Sequence, residues 1–187
     1  GKLLHAYDGF DGALTLAFNA IDRENTDNGA ETFSAKGART SADYLAAITL
    51  SKKLRLIAGA QAERTSAEVS GVDETAQAGA VFALLEIKPV DAVTVSFGGR
   101  RDEFSNFDGA TTARAAAVWR INDAWRLRAS WGEGFRAPSL FELNYDQFGI
   151  TPNPDLRPER ASGFDLGLET LLGGDNQHRL AVTAFRR

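Results

Sequence analysis

Trp131-Gly-Glu-Gly-Phe-Arg-Ala-Pro-Ser-Leu-Phe-Glu-Leu-Asn-Tyr145, continued by Asn153-Pro-Asp-Leu-Arg-Pro-Glu159, is the stretch from which the rest of the chain is read. It opens as the end of a strand and becomes a loop. Pro138, Pro152, Pro154 and Pro158 each remove a backbone donor and fix φ, so neither a helix nor a central strand runs through it. Pro158 also drives Arg157 toward an extended conformation. Phe135, Phe141 and Tyr145 stand among the prolines, with Leu140 and Leu143. A loop this long and this apolar is either functional or packed against something large.

Working upstream, Trp125, Leu127, Ala129 and Trp131 face one way, and Arg126, Arg128 and Ser130 the other. This period of two marks a strand with one apolar face. The same alternation recurs around Leu14–Ala20, Tyr44–Leu50, Leu54–Ala60, Val81–Ile87, Val93–Phe97 and Ala113–Ile121. It resumes after the loop at Phe164, Leu166 and Leu168, and a last strand covers 179–185. About nine strands result, with a possible partial one near Leu3 and Tyr7. Short turns at 51–53, 88–91, 122–124 and 172–177 alternate with longer polar loops expected at 22–37, 64–76, 102–109 and 134–160. The fold class is therefore all-β, an antiparallel up-and-down meander. Short turns at one end and long loops at the other are the arrangement expected of part of a transmembrane β-barrel. Strands of about ten residues suit a tilted membrane crossing. A soluble β-sandwich would mix its turn lengths, although alternation alone fits both.

Composition narrows the function. The chain has 187 residues and a net charge of −4, with no stripe of Lys and Arg, so a nucleic-acid partner is not expected. There is no cysteine, which rules out disulfide scaffolds and thiolate metal sites. No apolar run reaches the roughly 18 residues of a transmembrane helix.

The string Gly134-Phe-Arg-Ala-Pro-Ser-Leu-x-Glu-Leu143, then Asn153-Pro-x-Leu-x-Pro-Glu159 and Gly167-x-Glu169, resembles the barrel signature of TonB-dependent outer-membrane receptors. The likeness is to the vitamin B12 and siderophore transporter branch in particular. Gly99-Arg100-x-Asp102, Phe107-x-Gly109 and Thr112 are similar to the segment just upstream of that signature. The resemblance implies a barrel of about 22 strands with a plugged lumen. Residues 1–187 are expected to be an internal part of that barrel domain, without the plug and the C-terminal strands. It implies a receptor and active transporter, not an enzyme, in the outer membrane of a Gram-negative bacterium. The ligand would be a siderophore–metal chelate or a cobalamin taken from the extracellular side. Its partners would be outer-membrane lipid and the TonB complex, reached through the plug. A passive porin-like channel and a soluble β-sheet binding module are the alternatives.

The signature residues Gly134, Phe135, Arg136, Pro138, Ser139, Glu142, Leu143, Tyr145, Asn153, Pro154, Leu156, Pro158 and Glu159 are expected to form a structural loop that could edge a ligand vestibule. Arg136, Glu142, Arg157 and Glu159 are expected to pair with one another and with backbone. Phe141 and Tyr145 could touch ligand or pack in the loop. Trp119, Trp125 and Trp131 are expected to face lipid, the first two at the periplasmic girdle and Trp131 deeper. No cofactor and no metal are expected. His5 and His178 lie far apart and read as solvated turn residues. Ser139 lacks the Gly-x-Ser-x-Gly elbow of a nucleophile. The acidic stretch 22–29 is only a faint calcium-loop pattern, since the downstream Glu is misplaced. Gly98 and Gly99 form no phosphate cradle and are expected to relieve crowding in the barrel wall.

Overall fold

In the computed structural model, the described residues are 1–69, 72–139, 142–143, 151, 153, 155–172 and 178–187; for 30, 31, 69 and 72 only the backbone is described. Ten strands run in sequence order: β1 (Lys2–Tyr7), β2 (Phe10–Asp27), β3 (Ala30–Ser51), β4 (Leu54–Val69), β5 (Val72–Val90), β6 (Val93–Phe104), β7 (Ala110–Arg120), β8 (Trp125–Arg136), β9 (Glu159–Leu172) and β10 (His178–Arg186). Each pairs antiparallel with its sequence neighbours in one sheet, ordered β1 through β10. The sheet is not closed on itself.

Register turns the alternation of each strand into one continuous face. Phe10, Ile48, Leu56, Leu85, Phe97, Ala115, Trp131 and Phe164 are partners in a single row across eight strands, which ends at Arg186 of β10. The row also records the stagger of the strands. Phe10 is the first residue of β2, whereas Trp131 lies well along β8 and Arg186 closes β10. The row therefore climbs by about one residue per strand, roughly 3.3 Å for each lateral step of about 4.8 Å, which corresponds to a strand tilt of about 35°. That is the tilt of a closed barrel, and here it is read from pairing alone.

The apolar face carries large side chains in the open, among them Phe18 at 69% exposure, Phe97 at 53% and Val182 at 66%. The buried apolar residues among those described are only Ala46, Ala80, Ala110 and Leu143. A single layer has no core of its own. Its backbone is satisfied strand to strand, and its apolar face requires a hydrophobic solvent, which a bilayer provides.

Two of the expected loops are not loops. Residues 22–37 continue β2 and β3, and residues 64–69 and 72–76 continue β4 and β5, as laddered ribbons. The tip of the first is a two-residue turn at Asn28 (φ 51°) and Gly29 (φ 80°), the left-handed pair that a type I′ hairpin needs. In the second, Val69 pairs with Val72. The outward side of the ribbons changes from apolar to polar along the partner row Phe18, Thr40, Arg64 and Gln77. At about 35° of tilt the 22 residues of β3 rise about 60 Å, more than twice the roughly 25 Å of an apolar band. The ribbons thus stand well clear of the band. The other two expected loops are shorter than anticipated, at 105–109 and 137–158, and both lie at the same end as the ribbon tips.

Candidate ligand vestibule and signature loop

The face opposite the tryptophans is polar and paired. Gln61 donates to Asp43 Oδ1 at 2.7 Å, and Arg39 meets Glu63. Arg100 grips Asp102 with two nitrogens at 2.9 and 2.8 Å, and its guanidinium lies over the Phe82 ring at 5.7 Å. Glu169, 8% exposed, takes Arg179 at 2.6 Å and Arg126 at 3.5 Å. Ser130 donates to Asp165, and Arg128 to the Thr183 hydroxyl. Charges pressed against a wall need partners because desolvation otherwise disfavours them.

This ladder gives physical reasons for signature residues whose roles sequence reading left blank. At Gly167 a Cβ would come within 2.7 Å of Arg128 Nε, so the glycine makes room for that side chain to lie flat. Two residues on, Glu169 binds both flanking arginines. In Gly99-Arg100-x-Asp102, the pair itself is the motif. At Gly109 a Cβ would fall 2.5 Å from the Asp102 carbonyl oxygen, so only glycine lets the 105–109 connection fold back this tightly. Of the two wall glycines, Gly98 relieves crowding, with Leu84 at 2.8 Å from a Cβ; Gly99 does not, its nearest contact being 4.0 Å.

The long loop is fastened at its root. Ser139 and Glu142 form a reciprocal cap. The Ser139 amide and hydroxyl both donate to Glu142 Oε2 at 2.8 Å, and the Glu142 amide donates back to Ser139 Oγ at 3.2 Å. Arg136 reaches Glu142 at 2.9 Å and Glu159, its partner across β8 and β9, at 3.6 Å. The amide and hydroxyl of Ser139, then the charge of Arg136, hold the Glu142 carboxyl below its ordinary pKa. The Asn153 amide donates to the Glu142 carbonyl at 3.1 Å, and Asn153 Oδ1 accepts from the Asp155 amide. Leu143 is 6% exposed. Gly134, Phe135, Pro138, Leu156 and Pro158 are the other signature residues among those described. Arg157 is exposed and makes no ion pair among the described residues, contrary to expectation. Leu140, Phe141, Tyr145, Pro152 and Pro154 lie outside the described residues.

Trp119, Trp125 and Trp131 share the apolar face and are 48%, 40% and 40% exposed. The histidines are not turn residues. His5 lies in β1, stacked on Phe10 and 3.3 Å from the Tyr44 hydroxyl, over the space that Gly12 leaves. His178 begins β10. Residues 22–27 are a strand, whose alternating side chains cannot converge on one ion. Among the described residues no group of three or more His, Asp and Glu is placed to hold a metal.

A tilted, staggered meander with one apolar and one ion-paired face is a section of transmembrane β-barrel wall. The comparisons with known proteins agree. A family model described as TonB dependent receptor-like, beta-barrel, matches residues 4–187. The iron-regulated outer membrane virulence protein of Vibrio cholerae serotype O1 is 32% identical over 80 residues, 40% of this chain and 12% of that relative. The siderophore receptor PirA of Pseudomonas aeruginosa superposes with a TM-score of 0.76 at 17% identity, over 93% of this chain and 38% of that one. The G324V mutant of the ferric enterobactin receptor of Pseudomonas aeruginosa superposes with a TM-score of 0.82 at 14% identity, over 97% and 32%. The chain belongs to the TonB-dependent receptor β-barrel family. It spans well under half the length of each of these proteins. Family membership places it in the outer membrane of a Gram-negative cell.

Proposed function

We propose that this barrel wall belongs to a receptor that actively imports a scarce, large metal chelate, an iron–siderophore complex, across the outer membrane. The observation that carries this reading is the superposition of nearly the whole sheet on two siderophore receptors, together with a relative named for iron regulation. A TonB complex acting through a plug in the lumen supplies the energy, and no bond is made or broken. The ion-paired face lines the lumen, and Trp119, Trp125 and Trp131 face lipid. The signature loop holds the vestibule rim in shape, and its charges serve structure before ligand. Cobalamin is the other ligand class that the signature implies.

The test uses the full-length gene in iron-starved cells. Deletion is expected to abolish uptake of radioiron presented as a siderophore, and a plasmid copy to restore it. Uptake should also stop with a protonophore or with TonB removed. Uptake indifferent to both treatments would make the protein a passive channel. Loss of cobalamin uptake with iron uptake intact would reassign the ligand.

A further inference from the structure

On the lumen face, the ion pairs give way to a different surface toward the long-loop end. Above the Arg39–Glu63 pair the wall is small and weakly polar, with Thr65 opposite Ala76 and Ala78 opposite Glu63. Phe104 stacks on Phe107 with ring centroids 4.3 Å apart and meets Phe135 edge-on at 5.7 Å. Gly109 makes that stack possible by letting the short connection fold back. Phe104 and Phe107, together with Thr65, Ala76, Ala78, Ala137 and Pro138, bound a mostly apolar cavity of about 230 Å³. Several of its polar groups are already engaged. Glu63 accepts from Arg39 and from the Thr65 hydroxyl. The Ser105 amide donates to the Gln77 carbonyl, and the Gln77 amide to Ser105 Oγ, both at 2.9 Å.

Size and charge define what such a cavity accepts. A cavity of about 150 Å³ lined by apolar side chains holds benzene, so 230 Å³ admits one substituted ring. The exposed faces and edges of phenylalanine rings favour a second ring stacked or edge-on. The cavity presents no unpaired cation, so the charged core of a chelate has no partner in it. Resting on the transport reading above, we propose that this cavity is a subsite for one aromatic arm of the imported iron chelate. Phe104, Phe107 and Pro138 recognise the ring, and the charge of the chelate is met elsewhere.

The experiment uses the purified full-length receptor and two probes: the ferric complex of a tris-catechol chelator, and the ferric complex of an aliphatic trihydroxamate. Ala78→Trp fills the cavity, and Phe107→Leu removes a ring while keeping apolar bulk. Heat-modifiable migration on gels confirms an intact barrel in each variant. Calorimetry is expected to show both variants binding the tris-catechol complex about tenfold or more weaker, the scale of one lost ring contact with its burial, with trihydroxamate binding unchanged. Undiminished tris-catechol binding by Ala78→Trp would show that the cavity is filled by the protein itself and overturn the subsite. Equal losses for both probes would overturn it too, as would an unmodified protein that takes only the trihydroxamate. An unmodified protein that binds neither complex would overturn the iron-transport reading along with the subsite.

Discussion

Placing an arginine at Ala129 tests the sidedness of the sheet at its most sensitive depth. Ala129 lies between Leu127 and Trp131 on the apolar face, opposite Ala117 and Leu166. It is four residues along β8 from Trp125. At about 3.3 Å per residue and about 35° of tilt, that is about 11 Å above the lower edge of the band. The band is about 25 Å tall, so Ala129 sits close to its middle, where an arginine costs about 2–4 kcal/mol. That corresponds to a folding constant lower by about 30- to 900-fold. The control is the next residue. Ser130 points to the other face and donates to Asp165, so an arginine there meets a carboxylate. Ser130→Arg is expected to stay within about 0.5 kcal/mol of the unmodified protein. The assay is equilibrium unfolding of the full-length protein in lipid vesicles, followed by tryptophan fluorescence and gel migration. If Ser130→Arg costs as much as Ala129→Arg, the assignment of faces is wrong, and with it the lumen ladder.

Four further outcomes are expected. In the full-length protein on intact cells, Ser105→Cys should react with an impermeant thiol reagent and Asp123→Cys should not; the reverse pattern would invert the topology. In single-tryptophan variants, lipids brominated at depth should quench Trp131 more strongly than Trp119 or Trp125, and quenching of Trp131 only from water would remove it from the lipid face. The Glu142 carboxyl has a lowered pKa in the folded loop, so its hold is complete above the ordinary carboxylate range and is lost as pH falls through the lowered value. Pepsin should therefore cut within 137–158 faster at the acid end, and Glu142→Gln should cut fast at every pH; a pH-independent rate in the unmodified protein would show that the cap is not what fastens the loop. Gly109→Ala should destabilise by about 1–3 kcal/mol through overpacking against the Asp102 carbonyl, whereas Gly134→Ala, with open space around the added methyl, should do so far less.

How much was legible in the sequence depends on whether a membrane stood behind the pattern. In the lower part of the sheet the strands alternate between an apolar and a polar face, and β6 to β8 stand close to where that alternation put them. Above the band both faces are wet. The period of two fades at 22–37, 64–69 and 72–76 while the backbone ladder continues, so these ribbons read as polar loops. One signal was there to be used: Asn28-Gly29, the pair that a type I′ hairpin selects. The loop root was read as a structural cluster of Arg136, Glu142, Arg157 and Glu159, of which Arg157 stands apart; the reciprocal cap through Ser139 was not foreseen, though Ser-x-x-Glu is its pattern. The partners of Glu169 were beyond sequence reading. They come from β8 and β10, and only register brings them to one carboxylate.

The ribbon of β2 and β3 has a consequence for how such a receptor can change over time. Apart from Ala30, Phe33 and Ala35, its upper part is polar on both sides and gives little preference for one register over another. Position is set from the ends, by the apolar rungs below and by the Asn28-Gly29 tip above. Between those anchors, adding two residues to each arm lengthens the ribbon by a whole repeat and returns every side chain to its own face. Adding one to a single arm turns the faces over, unless a bulge such as the shift at Asn25 and Thr26 absorbs it. The height of the rim can therefore drift in paired steps without any adjustment of the wall beneath, which frees the outermost surface to diversify while the membrane section stays fixed.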